Sequence, residues 1–93
     1  MASDFLTRRY VITGRVQGVG FRYFVQRKGL EIGVTGWVRN RPDGSVEAVA
    51  GGPTEAMEAF EQALRDGPPL SRVDHVADSP APAIEGKGFR ITA

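Results

Sequence analysis

The run Gly14-Arg15-Val16-Gln17-Gly18-Val19-Gly20-Phe21, followed by Arg22, holds the residues whose types and spacing could do chemistry. An alternating segment before it, Tyr10-Val11-Ile12-Thr13, reads as a strand, and Phe21, Phe24, Val25 and Ile32 after it recur at helical spacing. A strand, a glycine loop and a helix start leave backbone N–H groups unpaired. Those groups turn into one concavity beside the positive end of the helix dipole. Such a concavity is an anion site, and phosphate is the usual anion. Arg22 falls in the first helical turn, where its planar fork of donors can grip the same phosphate. The same glycines also suit a tight turn with no ligand, and spacing alone leaves both readings open.

Other polar residues are weaker candidates. Asn40 stands ahead of Arg41-Pro42-Asp43-Gly44, so on its residues alone it reads first as a turn asparagine capping its own backbone. Its carboxamide can also donate to or accept from a water without a change of charge. His75 is the one histidine; with Asp74 and Asp78 it matches no strong metal-ligand spacing, and it reads as structural or exposed. No serine or threonine sits in a G-x-S-x-G signature, and the loop lacks the Gly-Lys-Ser/Thr ending of a Walker A loop. A covalent serine mechanism and nucleoside triphosphate hydrolysis are therefore set aside.

Three motifs taken together resemble the acylphosphatase family. They are Gly14-x-Val16-Gln17-Gly18-Val19-x-Phe21-Arg22, Gly36-Trp37-Val38-x-Asn40 and Asp43-Gly44-x-Val46-Glu47. The match is clearest from Tyr10 to Gly51 and continues more weakly through Ser71-Arg72-Val73-Asp74 and Phe89-Arg90-Ile91. The resemblance implies hydrolysis of the carboxyl–phosphate anhydride of small acyl phosphates to a carboxylate and inorganic phosphate. It implies that backbone amides of Arg15, Val16, Gln17, Gly18, Val19, Gly20, Phe21 and Arg22 bind the phosphoryl group. Catalytic roles fall on Arg22, which stabilises charge, and on Asn40, which positions the water. The Gln17 side chain is expected to fold back and brace the loop. No metal or organic cofactor is implied, and inorganic phosphate or sulfate should act as a competitive ligand. One departure is Gly29, where relatives often place alanine; helix propensity puts its cost at about 1 kcal/mol or less.

Composition sets the outer bounds. Ninety-three residues suit one domain, 1–93, with a single modest core. Twelve basic and 11 acidic residues give a net charge of +1, which offers no general attraction to nucleic acid or anionic membranes. Positive potential must be local, and Arg15, Arg22, Arg39 and Arg41 are its sources. The absence of cysteine fits a reducing compartment. No apolar run approaches a membrane span or a signal-peptide core. The expectation is a cytoplasmic monomer acting on a small molecule, with no nucleic-acid or membrane partner.

The elements that must position these residues follow from pattern. Strands are predicted over 7–16, 34–40, 45–50, 72–77 and 89–92, and helices over 21–31 and 54–65. Gly51-Gly52-Pro53 reads as a hinge, and 79–88 as a loop. Met57, Phe60 and Leu64 form the apolar stripe of the second helix, with Glu55, Glu58 and Glu61 on a solvated face. Trp37 is expected in the core or as a wall near the site. The order predicts an α+β, ferredoxin-like two-layer sandwich, an antiparallel sheet of four to five strands with two helices on one face. The helix crossover makes the first two strands parallel, so their C-terminal ends share one end of the sheet. With the third strand between them, those ends stand about 10 Å apart.

Two rival functions use the same fold. One is a single-stranded RNA binder, which needs aromatics within a basic patch on the open sheet face. The other is an accessory domain of a larger carbamoyl-phosphate-processing protein; the chain's own start and end favour a stand-alone unit.

Overall fold

A computed structural model describes residues 4–92; residues 1–3 and 93, the ends of the predicted 1–93 domain, lie outside the described residues. Along the chain run β1 (Phe5–Arg15), α1 (Phe21–Ile32), β2 (Thr35–Asn40), β3 (Val46–Pro53), α2 (Thr54–Asp66), β4 (Arg72–Pro80) and β5 (Phe89–Ile91). The strand order across the sheet is β4-β1-β3-β2-β5. Both β1 and β2 pair antiparallel with β3, so they run parallel to each other with the third strand between, as predicted. This is the ferredoxin-like arrangement.

The sheet is mixed rather than antiparallel, because β5 pairs parallel with β2 through Gly36–Phe89, Trp37–Arg90 and Val38–Ile91. The reason is topological. With β4 and β5 at opposite edges, the segment between them must traverse the sheet, and it delivers β5 in the direction of β2. Gly51-Gly52-Pro53 is no hinge. These residues end β3 opposite Thr7, Leu6 and Phe5, because β1 starts earlier than its alternation suggests. Strand β4 likewise runs on to Pro80, along the whole length of β1.

Alternation divides the sheet into two faces. Tyr10, Ile12, Val38, Val46, Ala48 and Ala50 are buried under Phe21 and Val25 of α1 and Met57, Phe60 and Leu64 of α2. The predicted stripe of α2 is thus its buried face. Its acidic face is not uniformly solvated, however: Glu61 is half-buried and accepts a hydrogen bond from the Tyr10 hydroxyl at 2.9 Å. Burial and that carboxylate push the Tyr10 phenol well above its ordinary pKa.

The other face carries Arg9, Arg39, Glu47 and Trp37. Glu47 is 4% exposed and accepts hydrogen bonds from both arginines. Burial pushes its carboxyl up, but the Arg9 and Arg39 bonds outweigh burial and hold it below its usual range. Trp37 lies here with the Arg39 guanidinium 5.6 Å from its ring, so it is neither core nor a wall of the site described below. Residues 81–85 cross this face and share a cavity wall with Arg9, Trp37 and Val49.

Gly29 overturns the propensity argument. A Cβ there would stand 2.4 Å from the Phe89 ring, which is 3% exposed and packs against Phe60 at 5.6 Å. Glycine lets α1 and β5 close on each other.

Candidate active site

Three strand ends meet where α1 begins. Strands β1, β2 and β5 run parallel, so Arg15, Asn40 and Ile91 all mark the same end of the sheet. The chain leaves β1 through residues 16–20 and enters α1 at Phe21. Gly18 and Gly20 have φ of +75° and +77°, a left-handed backbone that suits glycine. A Cβ at either position would meet nothing within 4 Å, so glycine is required by backbone angle and not by crowding.

This path leaves donors unused. Gly20 caps α1 with no side-chain hydrogen bond, and the first turn holds no acidic residue. The first helical bond runs from the Phe24 amide to the Gly20 carbonyl, at 3.0 Å. Among the described residues, no amide from 16 to 23 donates to a backbone carbonyl outside the regular elements. These amides and the helix dipole therefore present partial positive charge with no neutralising carboxylate.

A cavity of about 210 Å³ opens over the loop, lined by Val16, Gly18, Gly20, Phe21, Arg22, Tyr23, Asn40 and Ile91. Arg22, half-buried, has no ion-pair partner among the described residues. Asn40 reaches the cavity because residues 36, 38 and 40 of β2 share the helix-side face; Gly36 and Val38 are buried there. Its carboxamide is not needed by the turn. Asp43 Oδ1 takes the Ser45 amide at 3.0 Å and the Ser45 hydroxyl at 2.6 Å, and the Arg41 amide donates to the Ser45 carbonyl at 2.8 Å. The Ser45 bonds hold the Asp43 carboxyl below its usual pKa.

Gln17 turns away from the cavity. Its Nε2 donates to the carbonyl of Arg41 at 2.8 Å and to that of Ser45 at 2.9 Å, tying the loop to the hairpin just beyond Asn40. This is the brace expected of it. Val19 is half-buried against the core. Arg15 is exposed and still within the ladder, opposite Arg72 of β4. Of the eight residues read as a phosphate loop, Arg15, Gln17 and Val19 do not line the cavity.

Tyr23 and Ile91 line the cavity and were missed. Tyr23 directly follows Arg22 in the first turn, so an exposed aromatic beside a candidate site arginine was the available signal. Ile91 had none, because only the parallel pairing of β5 with β2 brings it there. His75 is exposed on β4, away from these residues. No cluster of three or more His, Asp or Glu side chains suited to a metal occurs among the described residues. No helix among them is long and apolar enough to cross a membrane.

The chain resembles known proteins along nearly its whole length. The sequence model of a family described as Acylphosphatase matches residues 8–91. An acylphosphatase of Koribacter versatilis is 51% identical over 86 residues, which is 91% of this chain and 78% of that protein. The crystal structure of an acylphosphatase from Bacillus subtilis superposes with a TM-score of 0.89 at 43% identity, covering 95% of this chain and 99% of that one. A full-length HypF, in its phosphate- and nucleotide-bound form, matches with a TM-score of 0.86 at 27% identity. That likeness covers 100% of this chain but 12% of that one.

Proposed function

This chain belongs to the acylphosphatase family, and from that premise we propose that its cavity hydrolyses the carboxyl–phosphate anhydride of small acyl phosphates. The observation that carries the assignment is the convergence of the glycine loop with Arg22 just beyond it, and of Asn40 from the separate end of β2, on one small cavity. The volume suits a small substrate, below the roughly 300–1,000 Å³ of sites for larger ligands.

The phosphoryl group lies in the loop, held by amides between Val16 and Arg22. The Arg22 guanidinium takes its oxygens and balances the charge that the transition state spreads over them. Asn40 holds a water opposite the leaving carboxylate. As the water oxygen bonds to phosphorus, the bond from phosphorus to the acyl oxygen breaks, and its electron pair leaves with the carboxylate. The water proton passes to a phosphate oxygen. The wall contains no carboxylate or imidazole, and a good leaving group in a loose transition state needs no strong base.

The rival RNA reading has less support. Glu47 pairs with two of the arginines beside Trp37, and residues 81–85 cross that face. The accessory-domain reading rests on the HypF likeness, at lower identity than the small acylphosphatases. Our reading is of one domain working as a cytoplasmic monomer without a cofactor.

Paired substitutions test the roles. Arg22→Ala should remove turnover and phosphate binding together, and Arg22→Lys should restore little, because an ammonium cannot copy the fork. Asn40→Ala should collapse kcat while inhibition by inorganic phosphate stays near wild type. An Arg22→Ala enzyme keeping more than about a tenth of kcat/KM, a loss under about 1.4 kcal/mol, would overturn the assignment.

A further inference from the structure

The face of the sheet turned away from the helices holds an indole and arginines that the loop cavity does not use. Trp37 of β2 and Arg90 of β5 are register partners, so they stand side by side on this face, about 5 Å apart at the backbone. Two cavities on this face, of about 490 and 400 Å³, share Trp37, Glu47 and Arg90 as walls. No residue that lines the loop cavity lines either of them.

The charges here are unevenly paired. Glu47, 4% exposed, takes Arg9 on one carboxylate oxygen and Arg39 on the other. Arg90, exposed on the short edge strand β5, pairs with no carboxylate among the described residues. Across the two walls Arg9, Arg39 and Arg90 stand against Glu47 and Glu85, which leaves one positive charge. That surplus complements one negative charge and not two. Thr92 lines the first cavity with Arg90 and supplies a hydroxyl. Trp37 is half-buried, so part of it stays open to a ligand. A free guanidinium next to an indole matches a flat anion, whose carboxylate fits the fork while its ring covers the aromatic surface. Residues 81–85 wall the second cavity, so the space suits a small molecule and not an extended chain.

We propose that this face carries a second binding site, for an aromatic monocarboxylate, with the ring on Trp37 and the carboxylate on Arg90. The site shares no wall with the loop cavity, so it stands or falls apart from the hydrolase reading.

Trp37 is the single tryptophan of the chain, so indole fluorescence reports on this face. The probe is benzoate, titrated at constant ionic strength. Its effect should saturate, with half-saturation at about 1–10 mM, as suits a small ligand in an open site. Acetate lacks the ring and benzyl alcohol the charge; each should bind at least about threefold more weakly. Phthalate, with a second carboxylate, should bind no tighter than benzoate. Arg90→Gln should weaken benzoate by about threefold to fivefold, and Arg90→Lys, which keeps the charge, by less. Arg22→Ala, in the other cavity, should bind benzoate as wild type does. A change that does not saturate, or that acetate or benzyl alcohol reproduces at equal concentration, overturns the site. So does tighter binding of phthalate, or benzoate affinity unchanged in Arg90→Gln. Affinity lost in Arg22→Ala also overturns it, by placing benzoate in the loop cavity.

Discussion

Replacing Gln17 with alanine removes a clamp between two parts of the site. Its Nε2 donates to the Arg41 carbonyl at 2.8 Å and to the Ser45 carbonyl at 2.9 Å. Neither carbonyl is orphaned by the change: the Arg41 oxygen still accepts from the Gly44 amide at 3.1 Å, and the Ser45 oxygen from the Arg41 amide at 2.8 Å. The loss is therefore that of two ordinary hydrogen bonds, about 1–3 kcal/mol, and the surviving partners place it toward the lower end. For a domain of this size that lowers Tm by roughly 5–10 °C. The effect on rate should be larger than stability suggests. Arg41 follows Asn40 directly, so Gln17 fixes the distance from the glycine loop to Asn40, which on the proposed mechanism holds the water. A misplacement of about 1 Å costs on the order of 100-fold, so kcat should fall by roughly 10- to 100-fold. Loop amides and Arg22 are untouched, so the inhibition constant of inorganic phosphate should change little. Gln17→Glu is the sharper control: a carboxylate cannot donate, and it faces two carbonyl oxygens. Steady-state kinetics, phosphate inhibition and thermal melts read all three quantities. A Gln17→Glu enzyme as stable and as fast as wild type would refute the clamp. So would a Gln17→Ala enzyme that loses phosphate affinity in step with kcat.

Gly29→Ala, which helix propensity would favour, should instead destabilise by about 1–3 kcal/mol in a urea melt, because its methyl overlaps the buried Phe89 ring; a gain in stability would show that β5 yields easily. Glu47 gives a pH dependence. Its folded carboxyl is held below its ordinary 4.5, so its contribution is complete above about that pH and is lost as pH falls through the folded value. Asp43 and Asp74 are held low as well and act in the same sense. The diagnostic is therefore a shallower acid limb for Glu47→Gln than for wild type in Tm against pH; parallel limbs would remove the triad as a source of acid sensitivity. Inorganic phosphate at a hundred times its dissociation constant should add about 2.7 kcal/mol and raise Tm by roughly 10 °C. Gly18→Val should abolish most of that rise, since valine resists the backbone angle of +75°; an equal response to chloride would reduce the loop to a turn.

Local features were legible from residues alone. Gly18 and Gly20 announced a tight strand-to-helix loop, Phe21 and Val25 a helix, Arg41-Pro42-Asp43-Gly44 a hairpin, and Met57, Phe60 and Leu64 a buried stripe, because each signal spans a few neighbouring residues. Asn40 was ambiguous at that range. The structure shows that Asp43 does the capping, and that the strand order brings the spare carboxamide to the loop. Contacts across the chain decided the rest. Whether Gly29 helps or harms depends on Phe89, and whether Glu61 is solvated depends on Tyr10. Whether Ile91 reaches the cavity depends on β5 pairing parallel with β2. Backbone angle and periodicity are properties of a residue and its near neighbours, so the amino-acid order determines them directly. Burial, pairing and the walls of a cavity are properties of residues far apart in sequence, and they acquire values only when the strands take their places in the sheet.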